Sequence, residues 1–286
     1  MYSKYYKIYS NMLKKEMEFV VYGHSGKPCI AFPAQDGRFY DFFNFGMIES
    51  AKNFIEEGKM QIFCVDSMDW ESWTFTNGDY NQRIMQHEKW FAYVIDELIP
   101  KIREINEENT GMPFNGKILT TGCSMGAYHG LNFFLRRPDI FDSTIALSGL
   151  YSADHFFPNY NNENIYLNSP VDYMKNISDS HEYVEMYKHS KIIICCGQGR
   201  WEEECLRDTR EMGKNFKRIA VPAWIDLWGY DVDHDWPWWK IQFPYFLDKI
   251  FETTGSIDDN KGKNLYRTIG TRKKSPYIYT KKHKKR

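Results

Sequence analysis

Apolar positions along this 286-residue chain change rhythm repeatedly. "EFVVYG", "CIAFP", "MQIFCVD", "GKILTTGCS", "DSTIALSG", "KIIICCG" and "AWIDLWG" hold short apolar runs, the pattern of strands buried in a sheet. Between them, "FGMIESAKNFIEEGK", "QRIMQHEKWFAYVIDELIPKIREI", "MGAYHGLNFFLRRPDIF", "WEEECLRDTREMGKNF" and "WPWWKIQFPYFLDKIF" repeat apolar residues at helical spacing. In the third, Tyr128, Leu131 and Leu135 stand at i, i+3 and i+7. The second reads as one long helix. The first two strands flank "HSGK", a turn signal, and read as a hairpin. Strands alternating with helices predict an α/β fold: a mainly parallel twisted sheet with an antiparallel N-terminal hairpin and helices on both faces.

Residues 151–190 are polar and aromatic without clean periodicity and read as an excursion above the sheet. There is no internal repeat and no linker before about residue 256, so residues 1–256 read as one domain and 257–286 as a tail. The length suits one large domain with a sizeable core.

Charge sharpens that boundary. The net charge is −1, yet Lys261–Arg286 holds eleven Lys and Arg and no acid. The first 260 residues therefore carry 26 basic against 38 acidic groups, a balance of −12. The tail reads as a basic, solvated extension. The acidic body would repel phosphates, which argues against nucleic acid as a partner except through the tail. No stretch of eighteen apolar residues suggests a membrane span. The N-terminus lacks the apolar core of a signal peptide, so a cytoplasmic location is expected. The six cysteines sit mostly in apolar, strand-like runs and read as reduced, buried thiols. Their spacing matches no zinc ribbon or finger, and no cofactor is expected.

The candidate chemistry lies in "TTGCSMGAYHG". Gly-x-Ser-x-Gly has mechanistic meaning where a strand turns sharply into a helix, lifting the hydroxyl out of the sheet edge as in the α/β-hydrolase fold. "KILTTG" before it and "GAYHGLNFFL" after it supply that context. Ser124 is at the centre of the motif and reads as the nucleophile; Cys123, at an x position, reads as an inert buried thiol. A serine needs a base, and the base an orienting acid, in the chain order Ser, acid, His. His234, in "GYDVDHDWPWW" between the last strand and the last helix, fits the base. The acid should follow "KIIICCG"; Glu202 is nearest the strand end, with Glu203 and Glu204 as alternatives and Asp231 and Asp233 as fallbacks. Asp208 reads as too far along its helix, His24, His87 and His155 as surface or packing residues, and His129, on the helix behind Ser124, as out of reach. The oxyanion donors expected are the N–H groups of Met125 and of Gln35, with Asp36 second.

These residues resemble the esterase family of α/β-hydrolases that includes S-formylglutathione hydrolases (esterase D), feruloyl and acetyl-xylan esterases, siderophore esterases and mycolyltransferases. "GCSMGAYHGLNFFLRRPDIFDSTIALSG", "CCGQGRWEEECLRDTREM", "WGYDVDHDWPWWKIQFPYFL" and "AFPAQDGRFYDFFNFGMI" carry the resemblance over about residues 15–255. It implies Ser124 as nucleophile and His234 as base. The family's acid stands as Asp three residues after the Gly ending its strand; here that position is Arg200, which implies a displaced acid at Glu202. It also implies a site built from loops, where Trp70, Trp73, Trp201 and Trp236 would wall a substrate. The expected activity is that of a serine carboxylesterase on a small or medium acyl ester, esters of a sugar or an aromatic acid among the candidates. Acyl transfer on the same residues, or a non-catalytic binding protein on this scaffold, are the alternatives. The oligomeric state is left open, a homodimer included.

Overall fold

The computed structural model describes residues 1–252, so the basic tail at 257–286 lies outside the described residues. Eight strands form one sheet: β1 (Ser3–Ser10), β2 (Lys15–Tyr22), β3 (Lys27–Phe32), β4 (Met60–Val65), β5 (Ile118–Cys123), β6 (Phe141–Leu147), β7 (Lys191–Cys196) and β8 (Trp224–Leu227). Their order across the sheet is β1-β2-β4-β3-β5-β6-β7-β8. The β1–β2 and β2–β4 pairs are antiparallel, and every pair from β4–β3 to β7–β8 is parallel. Every residue of β4 and β5 is buried, as in strands covered on both faces. β1 is an edge strand whose Lys4, Tyr5, Lys7 and Tyr9 face solvent while Tyr6 stacks on Phe19, and the exposed lysines guard it against pairing with another chain.

The hairpin is real, but its strands differ from those expected. β2 pairs with β1 from Ser3 opposite Tyr22 to Ser10 opposite Lys15, and β4 lies between β2 and β3. "HSGK" is therefore a crossing and not a hairpin turn. β1 was hidden because its polar, tyrosine-rich sequence lacks the apolar run of a buried strand.

Eleven helices are described: α1 (Asp41–Asn44), α2 (Met47–Ser50), α3 (Lys52–Glu56), α4 (Tyr80–Tyr93), α5 (Ile99–Thr110), α6 (Met125–Arg136), α7 (Glu163–Tyr166), α8 (Pro170–Asn176), α9 (Glu182–Lys188), α10 (Glu203–Arg218) and α11 (Trp236–Phe251). The helix expected around residue 50 is broken into α1–α3, with Gly46 at φ 82° before α2. α4 and α5 are joined through a π-helical turn at Val94–Leu98. Pro100 has no N–H to give Asp96, and the wider turn before it closes from Ile99 N–H to Val94 C=O. Residues 151–190 hold three short helices, α7–α9, too brief to show a period in sequence.

The helices cover both faces. α4, α5, α6, α8 and α10 all bury side chains in the main core together with Phe19, Ile30, Phe32 and Phe63 of the sheet, α10 lying over β7 and β8. α2, α3 and α11 pack together against β4 and β6. At the centre, β5 turns directly into α6. A Cβ on Gly122 would lie 2.2 Å from the Gly126 carbonyl carbon, and one on Gly126 would lie 2.3 Å from Phe32 O. The two glycines thus let β5, α6 and the end of β3 meet at backbone contact.

A polar knot ties the 151–190 segment to this core. Asn168 Oδ1 accepts from His87 Nε2 (3.0 Å), Asn132 Nδ2 (2.8 Å) and Arg136 Nη1 (2.7 Å). Its Nδ2 donates to Glu88 Oε1 (2.5 Å) and Asn164 O (2.8 Å). Trp73 Nε1 donates to His87 Nδ1 at 2.9 Å, which assigns the His87 proton to Nε2. Burial, with the His129 ring stacked against it, pushes His87 down to about 3.

Two outcomes are expected. An unfolded imidazole takes up its proton near pH 6.5, whereas His87 in the folded chain does so only at about 3. Stability should be flat in this group above about pH 6.5 and fall by about 1.4 kcal/mol per pH unit below it. Urea unfolding between about pH 4 and 7 should show a shallower acid slope in His87→Gln; equal slopes would contradict the assignment. Gly126→Ala, whose methyl meets backbone on β3, should lower stability by about 1–3 kcal/mol or more, read from the denaturant midpoint, and an unmoved midpoint would refute the close approach.

Candidate active site

Ser124 follows the last residue of β5 and precedes the first of α6. Its φ of 57° and ψ of −121° are strained for a residue with a side chain. The surrounding structure fixes it: Ser124 N–H donates to Leu147 O (2.9 Å), and its carbonyl accepts from Ala127 and Tyr128 N–H. The Oγ is thereby held 2.9 Å from His234 Nε2. Cys123, one residue earlier, is fully buried, and burial raises its thiol well above the ordinary range.

His234 lies on the loop between β8 and α11, edge-on to Trp239 at 5.0 Å. Its Nδ1 is 3.1 Å from Glu202 Oε2. Glu202 is 1% exposed. Its carboxylate also accepts from Ser148 Oγ (2.6 Å), Gly197 N–H (3.2 Å) and Cys196 Sγ (3.4 Å). Ser148 in turn accepts from Trp239 Nε1 at 3.1 Å. Buried charge is costly unless it is paired and hydrogen-bonded, and this one has four donors.

The other acids are occupied elsewhere. Glu203 and Glu204 are exposed at the start of α10, with Glu204 3.3 Å from His155 Nδ1. Asp208 accepts from Tyr151 N–H, Ser152 N–H and His155 Nε2. Asp231 is exposed. Asp233 accepts from Arg200 through its backbone N–H (2.8 Å), Nε (2.8 Å) and Nη2 (2.6 Å). Arg200 C=O accepts from His234 N–H (3.0 Å), and Gly199 N–H donates to Val232 O (2.8 Å). Arg200 thus clips the acid-bearing loop to the histidine-bearing loop, and Trp201, at φ 62°, turns the chain so that Glu202 points inward.

The end of β3 lies against Gly126, which brings the "AQDG" loop to the β5–α6 turn. Asp36 N–H faces Asp69 Oδ2 at 3.4 Å, and the Asp69 carboxylate also meets buried His129 (2.7 Å) on α6. Asp36 N–H is therefore engaged, leaving Gln35 as the candidate donor from this loop beside Met125 N–H at the start of α6.

Ser124 and His234 open onto a cleft of about 490 Å³ lined also by Leu150, Trp201, Glu203, Glu204 and Cys205. A cleft of about 860 Å³ adjoins it, sharing Leu150 and Glu204 and reaching Gln35. Trp201 is 74% exposed at this mouth. Trp73 is a correction: it is 1% exposed and packs against Tyr128, Phe156 and Phe157, so it walls no cleft. Trp70 is exposed but sits by Lys15, and Trp236 stacks on Phe45 at 4.4 Å; neither lines the two clefts. Ser148, Trp239, the Arg200–Asp233 clip and Cys205 had no signal in the sequence beyond an unremarkable Ser-Gly after β6 and an Arg where an acid was expected. Glu202, Cys205 and His234 each offer one metal-ligand atom within 4.8 Å of the others.

Solved structures share this architecture. A ferulic acid esterase superposes with a TM-score of 0.65 at 16% identity, over 87% of this chain and 99% of its own. The S-formylglutathione hydrolase of Staphylococcus aureus gives 0.61 at 15%, over 88% and 100%. MPT51 of Mycobacterium tuberculosis gives 0.60 at 11%, over 87% and 98%. At such identities the likeness is one of fold. No curated protein matches by sequence. A family model described as "Putative esterase" matches residues 10–274, and the chain accordingly belongs to that esterase family of the α/β-hydrolase fold.

Proposed function

We propose that the protein is a serine carboxylesterase that forms an acyl-enzyme on Ser124. The observation that carries this reading is the unbroken chain from Ser124 Oγ through His234 to the buried Glu202 carboxylate, open to a cleft at the serine. Ser124 attacks the ester carbonyl while His234 Nε2 takes its proton. Glu202 accepts the Nδ1–H, holding the ring in the tautomer whose Nε2 is free to act as base and stabilising the imidazolium that forms. The N–H groups of Met125 and Gln35 receive the developing oxyanion. His234 then gives the proton to the leaving alcohol, and water repeats the sequence to release the acid.

The substrate is a small or medium acyl ester. Trp201, exposed beside the serine, supports stacking of a sugar or an aromatic ring. The adjoining cleft, with Asp154, Asp172, Glu204 and Glu211 along it, supports a hydroxyl-bearing portion. Six free, buried thiols support a cytoplasmic setting.

A fluorophosphonate probe should label the wild-type protein and not Ser124→Ala, and Ser124→Ala should lose about 10⁴-fold or more in the hydrolysis of nitrophenyl esters. Glu202→Gln should keep the fold and lose about 10²–10⁴-fold in kcat. An unlabelled wild type, or equal turnover by Ser124→Ala, would sink the proposal. Product partitioning in the presence of an added alcohol separates hydrolysis from acyl transfer.

A further inference from the structure

Cys205 has no part in the reaction described, yet it faces the reacting histidine from α10. Its Sγ is 3.8 Å from His234 Nδ1, the nitrogen that also meets Glu202 Oε2 at 3.1 Å. In a tetrahedral zinc site, bond lengths of about 2.3 Å to sulfur and 2.0–2.1 Å to nitrogen or oxygen set neighbouring donors about 3.3–3.6 Å apart. The two measured separations bracket that range before any side chain moves. One imidazole nitrogen, one thiol and one carboxylate form a donor set suited to zinc. Thiolate and carboxylate together neutralise a dication, so the ion would enter without uncompensated buried charge. Cys205 and His234 both line the cleft at Ser124, which supplies the way in.

We propose that Glu202, Cys205 and His234 form an inhibitory zinc site behind the nucleophile. The inference rests on the serine-esterase reading, because what it regulates is the histidine acting as base. On binding, the Cys205 thiol gives up its proton to solvent as the Zn–S bond forms. The Nδ1 lone pair goes to zinc, and the ring's proton moves to Nε2. Nε2 then has no lone pair to accept the Ser124 proton, and Glu202 Oε2 serves as a ligand in place of accepting from Nδ1. One proton is released per ion, no electrons are transferred, and the fourth position is left to water from the cleft.

The test uses the full chain with zinc chloride and, as a spectroscopic probe, cobalt(II). Cobalt should give a thiolate-to-metal charge-transfer band in the near ultraviolet and strong four-coordinate visible bands, both abolished in Cys205→Ser. Zinc should suppress nitrophenyl ester hydrolysis reversibly, with activity restored by EDTA. Cys205→Ser, compared with its own zinc-free rate, should need at least about tenfold more zinc for half inhibition. A cobalt band of equal strength in Cys205→Ser, or one lost instead in Cys196→Ser, would overturn the proposal. So would zinc inhibition that ignores the substitution. The cobalt spectrum needs no turnover: a band without any esterase activity would retain the metal site and reject the esterase reading.

Discussion

The buried carboxylate of Glu202 is the point on which the candidate site depends. An ionised carboxyl in a dry interior costs several kcal/mol unless its lone pairs are filled. Here they are filled from the end of β6 (Ser148), the end of β7 (Cys196 and Gly197) and the loop before α11 (His234). One group therefore registers three separate stretches of chain against one another. Trp239 extends the network into α11 by donating to Ser148 Oγ. The imidazole is fixed by the same network, and so is the face it turns toward Ser124.

The second constraint is steric and lies across the sheet. Ser124 is held at positive φ because β5, α6 and the end of β3 approach at backbone distance, which Gly122 and Gly126 permit. That approach also sets the "AQDG" loop beside the first turn of α6, so the strain at Ser124 and the position of this loop arise from one packing event. Arg200 provides the third tie. It stands three residues after Gly197 and meets Asp233 beside the histidine. An exposed pair of this kind contributes little to stability, but it joins the two loops whose relative position decides the Glu202–His234 distance.

Strong local patterns made much of this legible in advance. Apolar runs marked β2 to β8: the central strands are covered on both faces and are apolar nearly throughout, while β2 and β8 carry shorter apolar stretches. Gly-x-Ser-x-Gly between a strand and a helix marked Ser124, and the place of His234 between the last strand and the last helix marked the histidine. What could not be read is of a different kind. β1 is a polar edge strand without an apolar run, so its pairing with β2 leaves no signature in the sequence. Trp73 looked like a loop residue available to a ligand, yet its indole is buried beneath Tyr128 and its Nε1 is bonded to His87.

The sequence by itself determined the class of fold, the turn that presents Ser124 and the chain order of the groups around it. Those features follow from short-range periodicity and from the few residues that tolerate close backbone contact. Tertiary structure alone decided which strand lies beside β3, which of several neighbouring carboxylates is buried against His234, what Arg200 holds, and that Cys205 faces the same ring nitrogen as Glu202. Each of these depends on pairing between segments far apart in the chain, where burial and competing partners select among residues that look alike in sequence.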